Sequence, residues 1–271
     1  MASVQNIGLM ITRNEDDVIE EVMEANKKYF DKILVIDGSS DRTEEILRSY
    51  DCVKYIIKDQ DIIDKLPNRK FEDGARQFLL EKAQEMYPVE GWFTLLHGDE
   101  IWHDDPNWVA SEAEKAHAEK VNWNVMNFFL HTSDRSRDLE AIKSVQERLV
   151  WYCPGYLEIR SFRNKRGLKY NLAQRNEVLP KGIGWQIYKH FPVYKHYPFR
   201  SVAQIMKKKK QNDESGFTGT YQNRNEENCF IDILPNYKIA RKYDGSFHEF
   251  EIKNQGSLLR RWLRAHRYIT W

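Results

Sequence analysis

What most restricts the fold of this chain is a recurring unit, a short apolar run that breaks off into polar and acidic residues, with amphipathic stretches between the runs. Ile7-Gly8-Leu9-Met10-Ile11-Thr12 gives way to Arg13-Asn14-Glu15-Asp16-Asp17, and Lys32-Ile33-Leu34-Val35-Ile36 stops at Asp37. Trp92-Phe93-Thr94-Leu95-Leu96 ends in His97-Gly98-Asp99-Glu100. Apolar runs this short read as strands covered on both faces. Val53 to Ile57 supplies another strand. Between the strands, Val18, Ile19, Val22, Met23 and Ala25 recur at helical spacing, as do Phe78, Leu79, Ala83 and Met86 within the stretch from Glu72 to Met86. Strands joined through helices by short connections pair in parallel with right-handed crossovers. The order βαβαβαβ therefore predicts an α/β fold built on a doubly wound, mostly parallel sheet.

Ligands of such sheets gather outside the carboxyl ends of the strands, which is where this chain puts its acids. Asp37 ends one strand, Gly38 lets the backbone turn, and Ser40 or Asp41 can cap the helix that carries Ile46 and Leu47 inward. A fixed carboxylate there suits a hydroxyl or ring N–H of a nucleotide; the plainer reading is a well-capped connection. Asp99 and Glu100 offer oxygens that Mg²⁺ or Mn²⁺ accepts, or else they satisfy backbone donors at the next helix start.

The rest of the chain is less regular. Asn107 to Lys120 is spaced as a helix and Trp123 to Phe129 as a strand. Thr132 to Ser144 is polar and charged and reads as a mobile loop able to cover a ligand. Glu147 to Tyr152 and Glu158 to Asn164 read as two strands, with Pro154-Gly155 as the turn between them. Gln211 to Asn228 carries almost no apolar residues and reads as a flexible loop. Leu258 to Trp271 alternates apolar residues with Arg260, Arg261, Arg264 and Arg267; such a helix either packs on the domain or lies on an anionic membrane surface.

A net charge of +1 gives no general attraction to nucleic acid, so none is expected as a partner. Cys52, Cys153 and Cys229 are too few and too far apart for a disulfide framework or a zinc set, which makes a reducing cytosol the expected compartment. The amino-terminal residues lack the basic and apolar segments of a secretory signal, and no run approaches the roughly 18 apolar residues that span a bilayer.

Taken together, Ile11-Thr12-Arg13-Asn14-Glu15, Val35-Ile36-Asp37-Gly38-Ser39-Ser40-Asp41-Arg42-Thr43 and Leu95-Leu96-His97-Gly98-Asp99-Glu100 resemble the nucleotide-binding half of family 2 glycosyltransferases with the GT-A fold. The likeness is good over residues 1–130 and looser over residues 131–210. It implies a catalytic domain over 1–210, with a donor half and an acceptor half meeting near 130, a small additional β region, and a C-terminal extension over 211–271 with its helix.

The resemblance implies an inverting, cation-dependent transfer of sugar from a nucleotide-diphosphate donor to a hydroxyl of a glycan or lipid-linked acceptor. It places Thr12, Arg13, Asn14, Glu15, Asp37, Ser39, His97 and Gly98 around the donor, and Asp99 on Mn²⁺ or Mg²⁺. His97 stands where the first acid of the family's D-x-D motif lies, and Asp99 matches the second. Arg175 to Pro180 resembles a segment in which an acid, often preceded by His, lies near the acceptor. Asn176 replaces that His, and Glu177 is the implied general base, with Asp134 and Glu147 behind it. Lys195 to Ser201 resembles a stretch that brings a His to the metal and basic residues to the diphosphate, which implies His196 as a metal ligand ahead of His190, and Arg200 at the phosphates.

Two other classes stay in view. A nucleotidyltransferase shares the sheet and the metal, but no Gly-rich, Lys- or Arg-bearing loop follows the first strand. A non-catalytic nucleotide- or glycan-binding module descended from such an enzyme is favoured by His97 and Asn176. The expected location is the cytoplasm, with peripheral membrane contact through the C-terminal helix.

Overall fold

The computed structural model describes residues 5–58, 75–87, 91–170, 179–214, 221–235, 237 and 239–246. Glu177, the charged stretch from Asp59 to Arg69 and the C-terminal helix expected from Leu258 lie outside the described residues. Among those described, the chain forms two compact units: one of residues up to Asn124 together with Leu157–Tyr194, the other of Val125–Tyr156 together with residues from Lys195 onward.

In the first unit, β1 (Asn6–Thr12), β2 (Ile33–Asp37), β3 (Val53–Lys58) and β4 (Trp92–His97) lie in the order β3-β2-β1-β4, all parallel. The helices α1 (Ile19–Asn26), α2 (Thr43–Arg48) and α3 (Ala75–Met86) make the connections. One sheet face packs Leu9, Ile11, Leu34 and Leu95 against Leu79 and Ala83 of α3, each such side chain contributing about 1.5–3 kcal/mol by leaving water. On the other face a Cβ at Gly8 would stand 2.7 Å from Leu96 and 3.5 Å from Phe30, so glycine permits that close approach. Beyond β4 the sheet continues with β7 (Trp151–Arg163), which pairs antiparallel as Phe93↔Phe162, the two rings meeting edge to face. The fold is thus mixed α/β around a mostly parallel sheet of the GT-A type.

After β5 (Glu100–Trp102), α4 (Pro106–Lys115) starts as the sequence dictates, with the Asp105 side chain accepting from the N–H groups of Asn107 and Trp108 and Pro106 in the first turn. It ends five residues before the expected Lys120. His117 takes a left-handed φ of 54°, and β6 (Lys120–Phe129) begins at once. The start of β6 was hidden because Asn122 and Asn124 are buried polar residues that mask its strand pattern.

The second unit contains the end of β6, the beginning of β7, α5 (Val145–Arg148), α6 (Val202–Glu214) and β10 (Arg241–Lys242), which pairs antiparallel with β7. Phe128 stacks on Tyr197 at 4.9 Å and packs against Tyr152 and Tyr243. Three expectations change here. Pro154-Gly155 is no turn but the middle of the 13-residue β7. A Cβ at Gly155 would fall 2.3 Å from Val125, so the glycine serves a close strand approach. Residues 147 and 148 close the short helix α5 and are not strand. The stretch from Thr132 opens with a 3₁₀ turn in which the buried Asp134 binds Arg137 at 2.8 Å and the His131 N–H, so this end is pinned where a loose loop was expected. Among the described residues, no helix is long and apolar enough to cross a membrane.

Candidate active site

The parallel register gathers the polar strand ends of the first unit. Thr12 pairs with Asp37, Asp37 with Lys58, and Ile11 with His97. The loops beyond them interlock. Asn14, in a left-handed conformation with φ 55°, donates its N–H to Ser39 Oγ at 2.7 Å, and its Oδ1 accepts the Ser40 N–H at 2.8 Å. The Glu15 N–H donates to Thr43 Oγ1 at 2.9 Å. Asp37 is fully buried and committed inside the protein. Its Oδ1 accepts the N–H and the hydroxyl of Ser39 at 3.2 and 2.5 Å, and its Oδ2 accepts from Lys58 Nζ at 2.6 Å. Lys58 also meets Glu44 at 2.5 Å. Burial works against the ammonium, but the bonds to Asp37 and Glu44 outweigh it and raise the Lys58 pKa; the Lys58 bond, and then Arg48, lower that of Glu44.

At the end of β4 the chain turns through Gly98 and Asp99. A Cβ at Gly98 would stand 2.4 Å from Thr12 Oγ1, so only glycine fits beside the first loop. The two adjacent acids then part. Asp99 lies in the turn and is 9% exposed, whereas Glu100 is fully buried. Glu100 accepts the His97 N–H at 3.1 Å and binds Arg160 Nη2 at 2.6 Å, and His97 Nδ1 lies 3.3 Å from its Oε1. Arg160 also binds Glu158 at 2.7 Å and donates to the Tyr194 hydroxyl. Burial raises the Glu158 pKa, but the Arg160 charge prevails and holds it below the ordinary carboxylate value; Arg160 is itself pushed up by Glu100 and Glu158 against its own burial. The Glu100 carboxylate is thus taken up by partners inside the protein.

Sequence reasoning missed Arg76. It stands in the first turn of α3, is 8% exposed, and lines a small pocket with Leu9, Ile11, Leu79, Leu95 and His97. Its Nε and Nη1 are buried and have no hydrogen-bond partner among the described residues; the same holds for Thr12 Oγ1. Each unmet buried donor costs about 1–3 kcal/mol, and a ligand carrying oxygens would relieve it. A signal was available: Arg76 shares the helical stripe of Leu79 and Ala83, a cation on an apolar face.

Other expected site residues belong to the second unit. The short β8 (Ile187–Tyr188) precedes β9 (Val193–His196), which ends at His196, whose Nδ1 is 2.7 Å from Asn127 Oδ1. Arg200, expected at a diphosphate, is instead fully buried, and its Nη1 donates to the Tyr197 carbonyl at 2.9 Å. Among candidate bases, Asp134 is buried against Arg137 and Glu147 is exposed on α5. Arg13 is half-buried in the first loop, and His190 is exposed.

Parallel strands whose polar ends interlock at one edge define a GT-A-like sheet. Consistent with this, the profile of glycosyl transferase family 2 matches residues 9–175, more than half of the chain, and the chain belongs to that family. Comparison with curated proteins gives no match. Among solved structures the chain is similar to 4-diphosphocytidyl-2C-methyl-D-erythritol synthase of Anaerococcus prevotii, at 11% identity over 59% of this chain and 70% of that one, TM-score 0.31. It is also similar to mouse xyloside xylosyltransferase 1, at 11% identity over 44% and 52%, TM-score 0.27. A third is mannose-1-phosphate geranyltransferase of Thermus thermophilus, at 12% identity over 62% and 51%, TM-score 0.30. The matches span about half the length of the last two proteins.

Proposed function

We propose that this chain transfers a sugar from a nucleoside diphosphate donor to an acceptor hydroxyl of a glycan or lipid-linked molecule, with inversion at the sugar carbon. The observation that carries this reading is the carboxyl end of the sheet in the first unit, where Thr12 and Arg76 keep buried polar groups without a partner among the described residues. A polar, anionic ligand at the carboxyl ends of parallel strands satisfies such groups.

Among the described residues no three His, Cys, Asp or Glu side chains cluster tightly enough to hold a metal ion. Asp99 still fits a divalent cation, since hard cations of this kind are commonly held by one or two carboxylates plus the oxygens of a substrate phosphate. When bound, Mn²⁺ or Mg²⁺ would neutralise charge gathering on the departing diphosphate. The chain's own share is to hold the nucleoside between the interlocked loops and Arg76, and to take the acceptor's proton at Glu177. A binding-only reading is favoured by one observation: the carboxylates of Asp37 and Glu100 are both taken up by internal partners.

A panel of nucleoside diphosphates, with and without Mn²⁺, tests the reading by thermal stabilisation. One base should be preferred, the gain should grow with Mn²⁺, and Arg76→Met should weaken affinity about tenfold, the loss of roughly 1.4 kcal/mol of charged hydrogen bonding. No stabilisation by any nucleotide would sink it. Incubation of matching nucleotide sugars with acceptors, and assignment of the product anomer by NMR, separates an inverting enzyme from a binding module.

A further inference from the structure

The acid that usually opens the D-x-D turn is replaced here by His97, and the structure places the buried Glu100 of a charge cluster directly beside that histidine. Glu100 accepts the His97 N–H through one carboxylate oxygen, while the other lies 3.3 Å from the imidazole Nδ1. Glu100 has no exposed side chain and Arg160 only 5%, so their ion pair is shielded from water. The hydroxyl of Tyr194 receives hydrogen bonds from Arg160 Nε and Nη2 at 3.1 and 3.0 Å and donates to Glu158 at 3.0 Å, which fixes the guanidinium in place.

We infer that Glu100, anchored by Arg160, is a positioning residue for His97, holding the imidazole with its hydrogen on Nδ1 so that Nε2 is an acceptor toward the ligand cavity. The nearest charge supports this: the Glu100 carboxylate lies 3.3 Å from Nδ1, and a carboxylate beside one ring nitrogen favours the hydrogen on that nitrogen. The opposite nitrogen then carries the lone pair. No partner for Nε2 is present among the described residues, and His97 lines the same cavity as the unmet donors of Arg76. A ring so held supplies what a carboxylate would supply at this position, an acceptor for a hydroxyl or N–H of the bound nucleotide, without a second carboxylate next to Asp99. Metal-ligating histidines are commonly oriented by a carboxylate on their other nitrogen, and its loss costs about 10- to 100-fold in affinity or activity; the same device can orient a histidine that accepts a hydrogen bond. This inference rests on the donor-site reading for the identity of the ligand, but not for the orientation of the ring.

Imidazole ¹⁵N spectra of the ligand-free protein above the ordinary histidine pKa decide the orientation, with His97 assigned by its loss in His97→Gln. The expected result is a hydrogen on Nδ1 and a bare Nε2, the opposite of the tautomer that free histidine prefers. Glu100→Gln, checked for folding by circular dichroism, should shift His97 toward the Nε2–H form and weaken binding of the preferred nucleoside diphosphate about tenfold or more. A His97 carrying its hydrogen on Nε2 in the wild type overturns the inference, as does a folded Glu100→Gln protein with unchanged tautomer or affinity. Should no nucleotide bind the wild type, the donor-site reading falls while the spectrum still decides the orientation.

Discussion

Asp37 and Glu100 both stand at the carboxyl edge of one parallel sheet, and in the sequence both look like acids offered to a ligand. Each is fully buried and neutralised from within, but by different cations. Asp37 takes Lys58, its register neighbour at the end of the adjacent strand, whose side chain is 38% exposed. Glu100 takes Arg160 from β7, with 5% exposure. In the first arrangement the ammonium is half-exposed and screened by water. The second is dry, and its charges depend wholly on one another. An acid at a strand end is thus not by itself an open site; the neighbouring strand decides whether it faces a ligand or the interior.

The comparison breaks most severely at Arg160. Arg160→Met should leave Glu100 and Glu158 without their cation and lower stability by about 3–5 kcal/mol, the usual cost of stranding a buried charge; urea unfolding would show it. A loss below about 1 kcal/mol would mean that the pair is as solvated as the Asp37 pair.

Lys58→Met should cost less, about 1 kcal/mol, because water screens the half-exposed ammonium and Ser39 still serves Asp37. Its pH dependence has a definite sign. Lys58 has a raised pKa in the fold, so its contribution is complete below the ordinary lysine value and fades as pH climbs past the raised one. Glu44 has a lowered pKa, so its contribution is complete above the ordinary glutamate value and fades as pH falls past the lowered one. The difference in melting temperature between wild type and Lys58→Met should therefore be flat through neutral pH and shrink at both extremes.

The smallest effect is expected at Thr12, whose hydroxyl is buried with no partner among the described residues. Thr12→Val replaces an unmet polar group by a methyl of the same shape, so the ligand-free protein should be unchanged or gain up to about 1 kcal/mol. The same variant should lose nucleotide affinity if the hydroxyl serves the donor, and calorimetry measures both quantities.

Much of the fold was readable from the chain alone. Apolar runs of strand length alternating with helical spacing specify a parallel sheet because both periodicities are local. The three strand-end motifs pointed to the edge where the loops interlock. Asparagines inside β6 and the glycine in the middle of β7 were misleading, since buried amides and close strand contacts leave no periodic trace. Arg76 escaped notice because its distinguishing feature is a guanidinium buried without partners for Nε and Nη1 among the described residues, which only the packed helix reveals.

By itself, then, the sequence determined the strands, their parallel order of connection and the collection of Asp37, His97 and Asp99 at one end of the sheet. The tertiary structure alone decided which of the strand-end acids are taken up inside the protein. Glu100 and Arg160 are 60 residues apart in the chain and 2.6 Å apart in the fold, and the protonation and orientation of a buried group follow from the charges that packing brings beside it, however distant they are in sequence.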